Sequence, residues 1–531
     1  MKEMSTKDVV FEEVGTNSKQ HVSTIEIDGV QYLKVMPEAI NLLTKQAFHD
    51  INYYMRNAHL KKVAHILDDT ESSNNDKIVA GKLLKNADIS ADGILPMCQD
   101  TGTAIVLGFK GQYVLTNFHD EEEVAKAIAS TYETNNLRYS QLIPKSMYEE
   151  EITQNNLPAQ IDLMASSGGD YNFLFVAKGG GSANKTFYYP KTAALLKKGK
   201  LLDFLIEQVK SIGTAACPPY HLAIVIGGTS AEFNLKMVKL ASCGYLDTMQ
   251  TSPNKDGSPY RDLTLEAELL EATQKINIGA QFGGKYFCLD VKVIRCSRHG
   301  ASLPIGVGVS CSADRQVLGK ITKDGVFLEQ LEKAPGQFLY KGNNQPKEVP
   351  INLNRPMAEI LKEISQYPVM TALSLTGKIV VARDMAHSLL KEEFDKTGKF
   401  PQYIMDHPVY YAGPAKTPNG YVVGSLGPTT SGRMDDYMLD FQKEGASLIS
   451  IGKGNRASVV KDSCQKYGGF YLGSIGGVGA LISKENITNI ECLAFKEWGM
   501  EAIYLIDVKD MPVFILVDDK GNDFFDKFNK K

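Results

Sequence analysis

Three of the eight cysteines lie in settings that suit metal binding. Cys98 occurs in M-C-Q-D-T-G, Cys217 in A-A-C-P-P-Y and Cys311 in V-S-C-S-A-D, each where an apolar run meets a turn rich in Pro, Ser, Asp or Gly. An iron–sulfur cluster with only three protein thiolates keeps one iron open, and an open metal site acts as a Lewis acid on a hydroxyl or carboxylate. Three such cysteines without a fourth therefore favour catalysis over electron transfer.

The competing interpretation is that these thiols simply pack or stay idle. Cys288, Cys464 and Cys492 lie within strand or helix patterns, where cysteine behaves as a small hydrophobe, and Cys243 and Cys296 are intermediate. The sequence contains no C-x-x-C pair, which excludes zinc fingers, thioredoxin motifs and ferredoxin-type cluster runs. Any metal site has to gather its cysteines from distant loops.

The glycine run K-G-G-G-S-A-N-K-T, residues 178–186, has more than one possible use. It is similar to a nucleotide-binding loop because an apolar strand precedes it and Lys-Thr ends it. However, Asn184 stands where that loop requires glycine, and Pro190 falls in the helix that should follow. Consecutive glycines can instead present backbone N–H groups to an anion such as a carboxylate. A plain flexible turn is the remaining alternative.

Basic residues occur at several predicted turns. They are Arg138, His299, Arg383, Arg433 and Lys453. Any one of them alone is usually a solvated surface charge. Arg433 differs because G-S-L-G-P-T-T-S-G-R-M-D-D concentrates Gly, Pro, Thr and Arg in one tight loop. A guanidinium matches a carboxylate bidentately, so several arginines suit a small dicarboxylate ligand.

Size and composition favour a cytoplasmic enzyme. A chain of 531 residues exceeds one hydrophobic core, so two or three domains are expected. The net charge of -4 argues against nucleic acid or an anionic membrane as a partner. No stretch approaches the ~20 apolar residues of a membrane-spanning helix, and the first fifteen residues lack an apolar signal core.

Hydrophobic periodicity outlines the organisation of the chain. It predicts one or two amphipathic helices within 37–68 and a hairpin-like pair of strands within 103–116. A segment rich in Gly, Pro, Asn and Lys predicts a linker at 336–350 between domains 1–335 and 351–531. Strand and helix patterns alternate more regularly after the linker, which predicts a compact α/β module.

Taken together, the motifs resemble those of one family, the class I, iron–sulfur-dependent fumarate hydratases. They follow the family order from about residue 95 to 455, in both halves of the chain. The matching segments are M-C-Q-D-T-G-T-A, K-G-G-G-S-A-N-K-T, A-C-P-P-Y-H-L-A, V-I-G-G-T-S-A-E, R-H-G-A-S, G-V-S-C-S-A-D-R, V-A-R-D-M-A-H, G-P-T-T-S-G-R-M-D and I-G-K-G-N.

The resemblance implies a cofactor and a set of site residues. It implies a [4Fe–4S] cluster held by Cys98, Cys217 and Cys311, with the fourth iron binding the malate hydroxyl and a carboxylate oxygen. The implied substrate-binding residues are Gln99, Asp100, Arg138, Gly181, Arg383, Thr429, Arg433 and Lys453. Asp100, His299 and Thr429 match positions at the reacting end, with Thr429 as the base working with Asp100 and Thr430 as the neighbouring alternative.

The resemblance also implies an architecture and a role. We expect an N-terminal cluster-binding α/β domain and a smaller C-terminal α/β domain of the swivelling type, with the active site between them. The expected protein is a cytoplasmic homodimer that interconverts fumarate and (S)-malate in the tricarboxylic acid cycle. A related hydro-lyase acting on tartrate or mesaconate is the nearest alternative, because the same loops suit any small hydroxydiacid. A phosphate-binding NTPase that uses the glycine run is the alternative from another class.

Overall fold

The computed structural model describes residues 9–197, 199–339 and 347–529. The predicted linker at 336–350 is described only in part, because residues 340–346 lie outside the described ranges. The fold is mixed α/β, as the sequence predicts. Among the helices of the described ranges, none is both long and apolar enough to cross a membrane.

Helices form where apolar residues recur at helical spacing. The predicted helical region at 37–68 divides into two helices, and Ser73 caps the next helix by accepting a hydrogen bond from the Asp76 N–H. The longer helices are Pro37–Tyr53, Asn57–Asp68, Asn74–Ser90, Asp120–Thr134, Lys200–Ile212, Ala231–Ser242, Leu263–Ile276, Met357–Ile364, Asp384–Thr397, Asp435–Lys443 and Ser458–Tyr467.

Two sheets are built from strands that precede residue 330. The first sheet has the order Phe11–Glu13, Gly325–Glu329, Gln316–Thr322, Tyr171–Lys178, Thr103–Gly111 and Gln160–Ser166. The second sheet has the order Phe187–Lys191, Leu303–Ser310, Tyr220–Gly228, Cys288–Arg298 and Tyr260–Arg261. Smaller sheets join Val22–Ile27, Val30–Val35 and Val114–Leu115, and Leu142–Pro144 with Glu150–Ile152.

A third sheet is built entirely from strands after residue 348. Its order is Val349–Asn352, Ala372–Val381, Val409–Tyr410, Ile449–Gly452, Phe470–Ser474, Ile503–Val517 and Ile487–Ala494. The long strand Ile503–Val517 pairs with both Phe470–Ser474 and Ala372–Val381, so the central strands of this sheet close on themselves. Closure leaves fewer exposed strand edges.

The predicted hairpin at 103–116 is wrong. The strand Thr103–Gly111 pairs with Tyr171–Lys178 on one side and Gln160–Ser166 on the other, whereas Val114–Leu115 joins a different sheet. Thr103–Gly111 is apolar and buried along most of its length, which suits a position between two other strands. Its partners lie far along the chain, and local sequence does not reveal them.

One apolar core joins the two parts of the chain. Leu83 and Leu84, from the helix Asn74–Ser90, belong to the same cluster of buried residues as Leu375 and Leu481. The third sheet is therefore packed against helices that precede the predicted linker. This packing brings loops from both parts of the chain together, and the candidate site lies among those loops.

Candidate active site

Two of the three predicted cysteines lie at the same end of the second sheet. Cys217 lies three residues before the start of the strand Tyr220–Gly228, and Cys311 immediately follows the strand Leu303–Ser310. These strands are antiparallel neighbours in which His221 is paired with Ser310, so the start of one lies beside the end of the other. The Ser312 N–H also donates a hydrogen bond of 3.0 Å to the Cys217 carbonyl oxygen.

The backbone around Cys217 is unusual for a packing cysteine. Its φ of 63° lies in the left-handed region, which non-glycine residues rarely adopt and which is common at functional sites. Gly476 follows the strand Phe470–Ser474 of the third sheet. It lies so close to Cys217 that a Cβ at position 476 would overlap the Cys217 sulfur. Gln281 joins the two loops, because its amide donates to the carbonyl oxygens of Pro218 (2.9 Å) and Gly476 (3.1 Å).

The third cysteine, Cys98, reaches the same place from the first sheet. Its loop precedes the strand Thr103–Gly111, and Gly102 has a φ of +83°, where a Cβ would lie 2.8 Å from the Lys178 backbone. The loop is also attached to the C-terminal part, because the Gly479 N–H donates to the Met97 carbonyl oxygen at 3.2 Å. Charge on Cys311 raises the pKa of both Cys98 and Cys217, and charge on Cys98 also raises that of Cys217, so the three thiols lie close enough to interact electrostatically.

A lysine from the C-terminal part faces these thiols. The Lys453 ammonium lies 2.9 Å from the Cys217 sulfur. Burial raises the pKa of Cys217 to about 11, and Lys453 opposes that shift by favouring the thiolate. Burial also raises the pKa of Cys98, which Arg315 and Lys453 oppose. Burial thus disfavours the thiolate at Cys98 and Cys217, and the nearby cations favour it.

Asp100 lies at the centre of a second group of charges. Its carboxylate is 3.3 Å from the Arg138 guanidinium and accepts hydrogen bonds from the N–H groups of Gly180 (2.9 Å) and Gly102 (3.2 Å). Burial opposes ionisation of Asp100, but Arg138, Arg315 and other cations outweigh it and hold the pKa of this carboxyl below its ordinary value. Asp100 is consequently ionised at neutral pH.

The hydrogen bond from the Gly180 N–H to Asp100 also argues against a nucleotide-binding role for the glycine run at 178–186. The Gly180 N–H already donates to Asp100, and the segment forms only a four-residue helical turn, Gly180–Ala183. A nucleotide-binding loop needs its amides free for phosphate and a longer helix behind them. A Cβ on Gly181 would lie 3.2 Å from the Ala215 carbonyl oxygen and 3.8 Å from the Lys453 ammonium nitrogen. The run therefore contacts the proposed site without resembling a nucleotide loop in structure.

Two C-terminal loops meet beside Lys453. Thr430 forms an isolated parallel bridge with Lys453, and the Lys453 N–H donates to the Thr429 carbonyl oxygen at 3.3 Å. The Gln99 side-chain amide donates to the Pro428 carbonyl oxygen at 3.1 Å, which links this loop to the cysteine loop. These contacts bring Gln99, Thr429 and Lys453 together from distant parts of the chain.

Three arginines extend the charged region. Arg383 lies 3.1 Å from Glu501 and 3.3 Å from Asp384, and Arg433 lies 3.5 Å from the other oxygen of Asp384. Arg138 donates to the Gly413 carbonyl oxygen at 3.3 Å. A Cβ on Gly413 would lie 2.9 Å from the Arg383 guanidinium, so this glycine permits Arg138 and Arg383 to approach each other. Arg433 is the most exposed of the three, at 42% of its side chain.

The structure separates His299 from the other predicted residues. In the second sheet Tyr220 is paired with Cys288 and Gly228 with Arg298, so His299 follows the end opposite Cys217. Eight residues of strand correspond to about 26 Å. His299 is exposed there, and its ring nitrogen Nδ1 lies 3.1 Å from the Ala301 N–H. Within one chain, His299 does not join the other predicted site residues.

Sequence reasoning assigned no role to three residues that the structure brings to the site. Arg315 follows Cys311 by four residues, and its guanidinium influences Cys98, Cys311 and Asp100. Glu501 pairs with Arg383, and Gln281 links the Cys217 loop to Gly476. Arg315 is the last residue of the motif G-V-S-C-S-A-D-R, and its place in that motif is the sequence signal that could have identified it. Glu501 and Gln281 lie outside every quoted motif.

The residues present fit a cluster with anionic thiolate ligands. Three cysteines converge, which is the ligand type that iron–sulfur clusters require. Arg315 is a buried cation whose Nε has no hydrogen-bond partner within the described ranges. The rest of this guanidinium interacts with Asn52 and with the charge on Asp100. A buried N–H without an acceptor is costly, and a thiolate-bound cluster beside Cys98 and Cys311 would supply an acceptor.

Two family models match the chain. The model described as fumarate hydratase (Fumerase) matches residues 41–320, and the model described as fumarase C-terminus matches residues 325–528. Together they extend over both parts of the structure, including the cysteine loops and the C-terminal loops beside Lys453.

Several named relatives match almost the whole chain. The anaerobic class I fumarate hydratase of Escherichia coli (strain K12) is 57% identical over 517 residues, which are 97% of this chain and 94% of the relative. The aerobic class I fumarate hydratase of the same organism is 56% identical, with 96% and 93% of the two chains covered. Fumarate hydratase 1, mitochondrial, of Leishmania major is 53% identical, with 96% and 94% covered. This chain therefore belongs to the class I fumarate hydratase family.

Proposed function

We propose that this protein catalyses the reversible hydration of fumarate to (S)-malate. The observation that carries the proposal is the convergence of three cysteine loops with cationic side chains from the C-terminal part, seen most directly in the 2.9 Å contact between Lys453 and Cys217. The thiols suit a metal cofactor, and the guanidinium and ammonium groups suit a small dicarboxylate. The family relationship supports the same reaction.

We propose Cys98, Cys217 and Cys311 as the ligands of a [4Fe–4S] cluster. A cluster held by three thiolates supplies a Lewis acid that makes the substrate hydroxyl a better leaving group. The protein's part is to favour the ionised thiols. Lys453 does so at Cys217, and Arg315 does so at Cys98.

The substrate carboxylates are proposed to bind the cations around Asp100. Arg138 and Arg383 approach each other at Gly413, and Arg433 lies beyond Asp384. Positive groups in this arrangement stabilise charge that develops on a carboxylate when the adjacent carbon loses a proton. Gln99, Gly181 and Lys453 are proposed to complete the binding site from the cysteine side.

Proton transfer at the substrate carbon is assigned to Thr429 working with Asp100. A threonine hydroxyl alone is a poor base, so its proton has to pass to a neighbouring group. Asp100 suits that role because surrounding cations keep it ionised at neutral pH. Thr430 is the adjacent alternative, and comparison of Thr429→Val with Thr430→Val distinguishes the two.

The proposed role of His299 requires a second copy of the chain. His299 is exposed and lies at the opposite end of the sheet from Cys217. We propose a homodimer in which the His299 of one copy reaches the site of the other. Mixing inactive His299→Asn protein with inactive Asp100→Asn protein and allowing subunits to exchange should restore part of the activity. If exchanged dimers recover no activity, His299 does not act in the site of the other copy.

The remaining proposals concern organisation and location. We propose domains 1–335 and 351–531 with the active site between them, because cysteines from the first and cations from the second contribute to one cluster of side chains. A movable, swivelling C-terminal domain, a cytoplasmic location and a place in the tricarboxylic acid cycle rest on the family resemblance.

The direct test is anaerobic purification followed by iron and sulfide analysis and an ultraviolet assay of fumarate. We expect iron and sulfide in a ratio near that of a [4Fe–4S] cluster, activity that falls in air, and recovery with ferrous iron and thiol. Full activity in an iron-free sample would contradict the proposal. Tartrate and mesaconate should be assayed in parallel, and fumarate is expected to be the best substrate of the three.

A further inference from the structure

Two buried histidines face each other behind the Cys311 loop. His59 lies on the helix Asn57–Asp68 and His221 on the strand Tyr220–Gly228, and His59 Nδ1 is 2.9 Å from His221 Nε2. The side chains are 2% and 12% exposed. Asp314 lies beside both rings, with carboxylate oxygens 3.9 Å from His59 Nδ1 and 3.7 Å from His221 Nε2.

The outer nitrogens of the two rings both have partners that can only accept a hydrogen bond. His59 Nε2 lies 3.0 Å from the Ser312 carbonyl oxygen, and His221 Nδ1 lies 3.0 Å from the Asp290 carboxylate. Asp290 is held ionised by His221, Lys292 and Lys62, which keep its pKa far below its ordinary value against the effect of burial. Each outer nitrogen therefore has to carry a proton.

This assignment leaves a conflict between the two inner nitrogens, His59 Nδ1 and His221 Nε2, which face each other. A neutral imidazole has one N–H, so two neutral rings would direct two lone pairs at each other across 2.9 Å. A proton or a metal ion has to lie between them. The separation is that of an N–H···N hydrogen bond, whereas two nitrogens on a tetrahedral zinc ion, each about 2.0–2.1 Å from the metal, lie roughly 3.3 Å apart.

We infer that His59 and His221 share one added proton at neutral pH, as a buried imidazole–imidazolium pair that positions the Cys217 and Cys311 loops. The pair itself is independent of the proposed function. Its importance for cluster binding rests on the proposed roles of Cys217 and Cys311.

The surrounding charges favour one added proton and oppose a second. Burial lowers the pKa of His59 to about 4. Burial acts in the same direction on His221, but Asp290 and Asp314 outweigh it and raise the pKa of His221 above its ordinary value. The pair therefore titrates as a unit whose first proton is held more strongly than that of an ordinary histidine.

The pair reaches the cysteines through one peptide group. The Ser312 carbonyl oxygen accepts from His59, and the Ser312 N–H donates to the Cys217 carbonyl oxygen. The Asp314 N–H in turn donates to the Cys311 carbonyl oxygen at 3.0 Å. Loss of the shared proton would separate the rings and release the Ser312 peptide, so both cysteine loops would lose a fixed support.

The expected pH dependence follows from the raised pKa of His221. A raised folded-state pKa contributes stability that is fully present below the ordinary value and is lost as pH rises through the folded-state value. The free energy of unfolding and the amount of iron retained should therefore decrease as the pH rises through the raised pKa of His221. The charged groups that face the pair are Asp290, Asp314, Lys62 and Arg56.

Nitrogen NMR of the full-length protein tests the proton directly. With ¹⁵N-labelled histidine at pH 7, we expect one ring with both nitrogens protonated, hydrogen-bonded to a partner ring that bears its proton on Nε2. The signals should vanish in His221→Gln and persist in His65→Gln, an exposed position on the same helix as His59. Two neutral rings at pH 7 would overturn the inference. So would a stoichiometric divalent metal, beyond cluster iron, that His59→Gln removes.

Asp290→Asn distinguishes a shared proton from a merely structural contact. The amide can donate to His221 Nδ1, so the rings can form a neutral N–H···N pair. Because this neutral pair needs no added proton, the variant should lack the decline in unfolding temperature that the wild type shows as the pH rises. A decline that persists unchanged in the variant would overturn the inference. Iron content measured in the same samples tests the proposed function separately. If iron were absent, the proposed cluster would be contradicted, but the NMR evidence for the shared proton would still hold.

Discussion

The loop that carries Cys217 and the helix that carries Cys464 both bury a thiol, and burial raises the pKa of each to about 11. Their surroundings differ. Cys464 lies in the helix Ser458–Tyr467 within an apolar core, and its hydrogen-bond partner is the Gln442 amide at 3.6 Å. Cys217 has a left-handed backbone, a lysine at 2.9 Å and an electrostatic link to two further thiols.

Burial and thiol pKa are alike at these two positions, so neither quantity distinguishes the proposed cluster ligand from a packing cysteine. A buried thiol in an apolar core stays protonated and contributes only packing. A buried thiol with a fixed cation and neighbouring thiols can become a thiolate when a metal arrives. The predictions that follow test this difference, starting with the largest expected effect.

Replacing one thiol in each region should separate the two classes completely. Cys217→Ser removes a proposed cluster ligand, so iron content and fumarate hydration should both fall to background. Cys464→Ser should retain both, with a stability loss of about 1–2 kcal/mol for a polar group placed in an apolar core. Iron analysis, activity and thermal unfolding of the two variants provide the measurement. Loss of iron in Cys464→Ser alone would reverse the assignment.

Removing the cation beside Cys217 should have the next largest effect. Lys453→Met keeps much of the side-chain volume but removes the charge that favours the thiolate and the proposed substrate contact. We expect kcat/KM to fall about 10²–10³-fold, as for the loss of one preorganised electrostatic group. Lys443→Met, at a position with 63% of its side chain exposed, is the control. Equal activity in the two variants would place Lys453 outside the reaction.

Arg433→Lys should have a smaller effect. The variant keeps the charge but loses the planar fork that matches a carboxylate, so transition-state binding should weaken by about 2 kcal/mol. Cluster content should stay unchanged because no proposed ligand is altered. Arg355→Lys changes a surface pair with Glu363 and serves as the matched control. Steady-state kinetics of both variants check the prediction, which fails if their kcat/KM values agree.

The smallest predicted effect is a shift in the acid limb of the pH–rate profile. Asp100 has a lowered pKa because Arg138, Arg315 and Lys453 outweigh its burial, so wild-type activity should persist until the pH falls below the ordinary carboxyl range. Arg138→Gln removes one of those cations and should move the acid limb to higher pH. The midpoint of the acid limb in plots of kcat/KM against pH measures the shift in both proteins, and an unmoved midpoint would mean that another group controls activity.

The two parts of the chain share a core, and this affects any attempt to separate them. Leu83 and Leu84 pack in the same cluster as Leu375 from the third sheet. A fragment that ends near the predicted linker would expose the apolar face of the helix Asn74–Ser90. Independent folding of such a fragment is therefore less favourable than the sequence boundary suggests.

Many features of this protein could be predicted from local sequence. The setting of Cys98, Cys217 and Cys311 predicted a role other than packing, because turn residues and apolar runs are properties of neighbouring residues. Helical periodicity located the helices at 37–68, since contacts within a helix span three or four residues. The order of the short motifs identified the family, and the comparisons confirmed it.

Only the tertiary structure decided which distant residues meet. It paired the strand Thr103–Gly111 with partners other than Val114–Leu115, and it separated His299 from Cys217 by the length of a sheet. It also brought Arg315 to the cysteine loops. These outcomes depend on strand register and on packing between segments hundreds of residues apart. Local propensity does not specify such contacts, because a side chain's neighbours across a core belong to other parts of the chain.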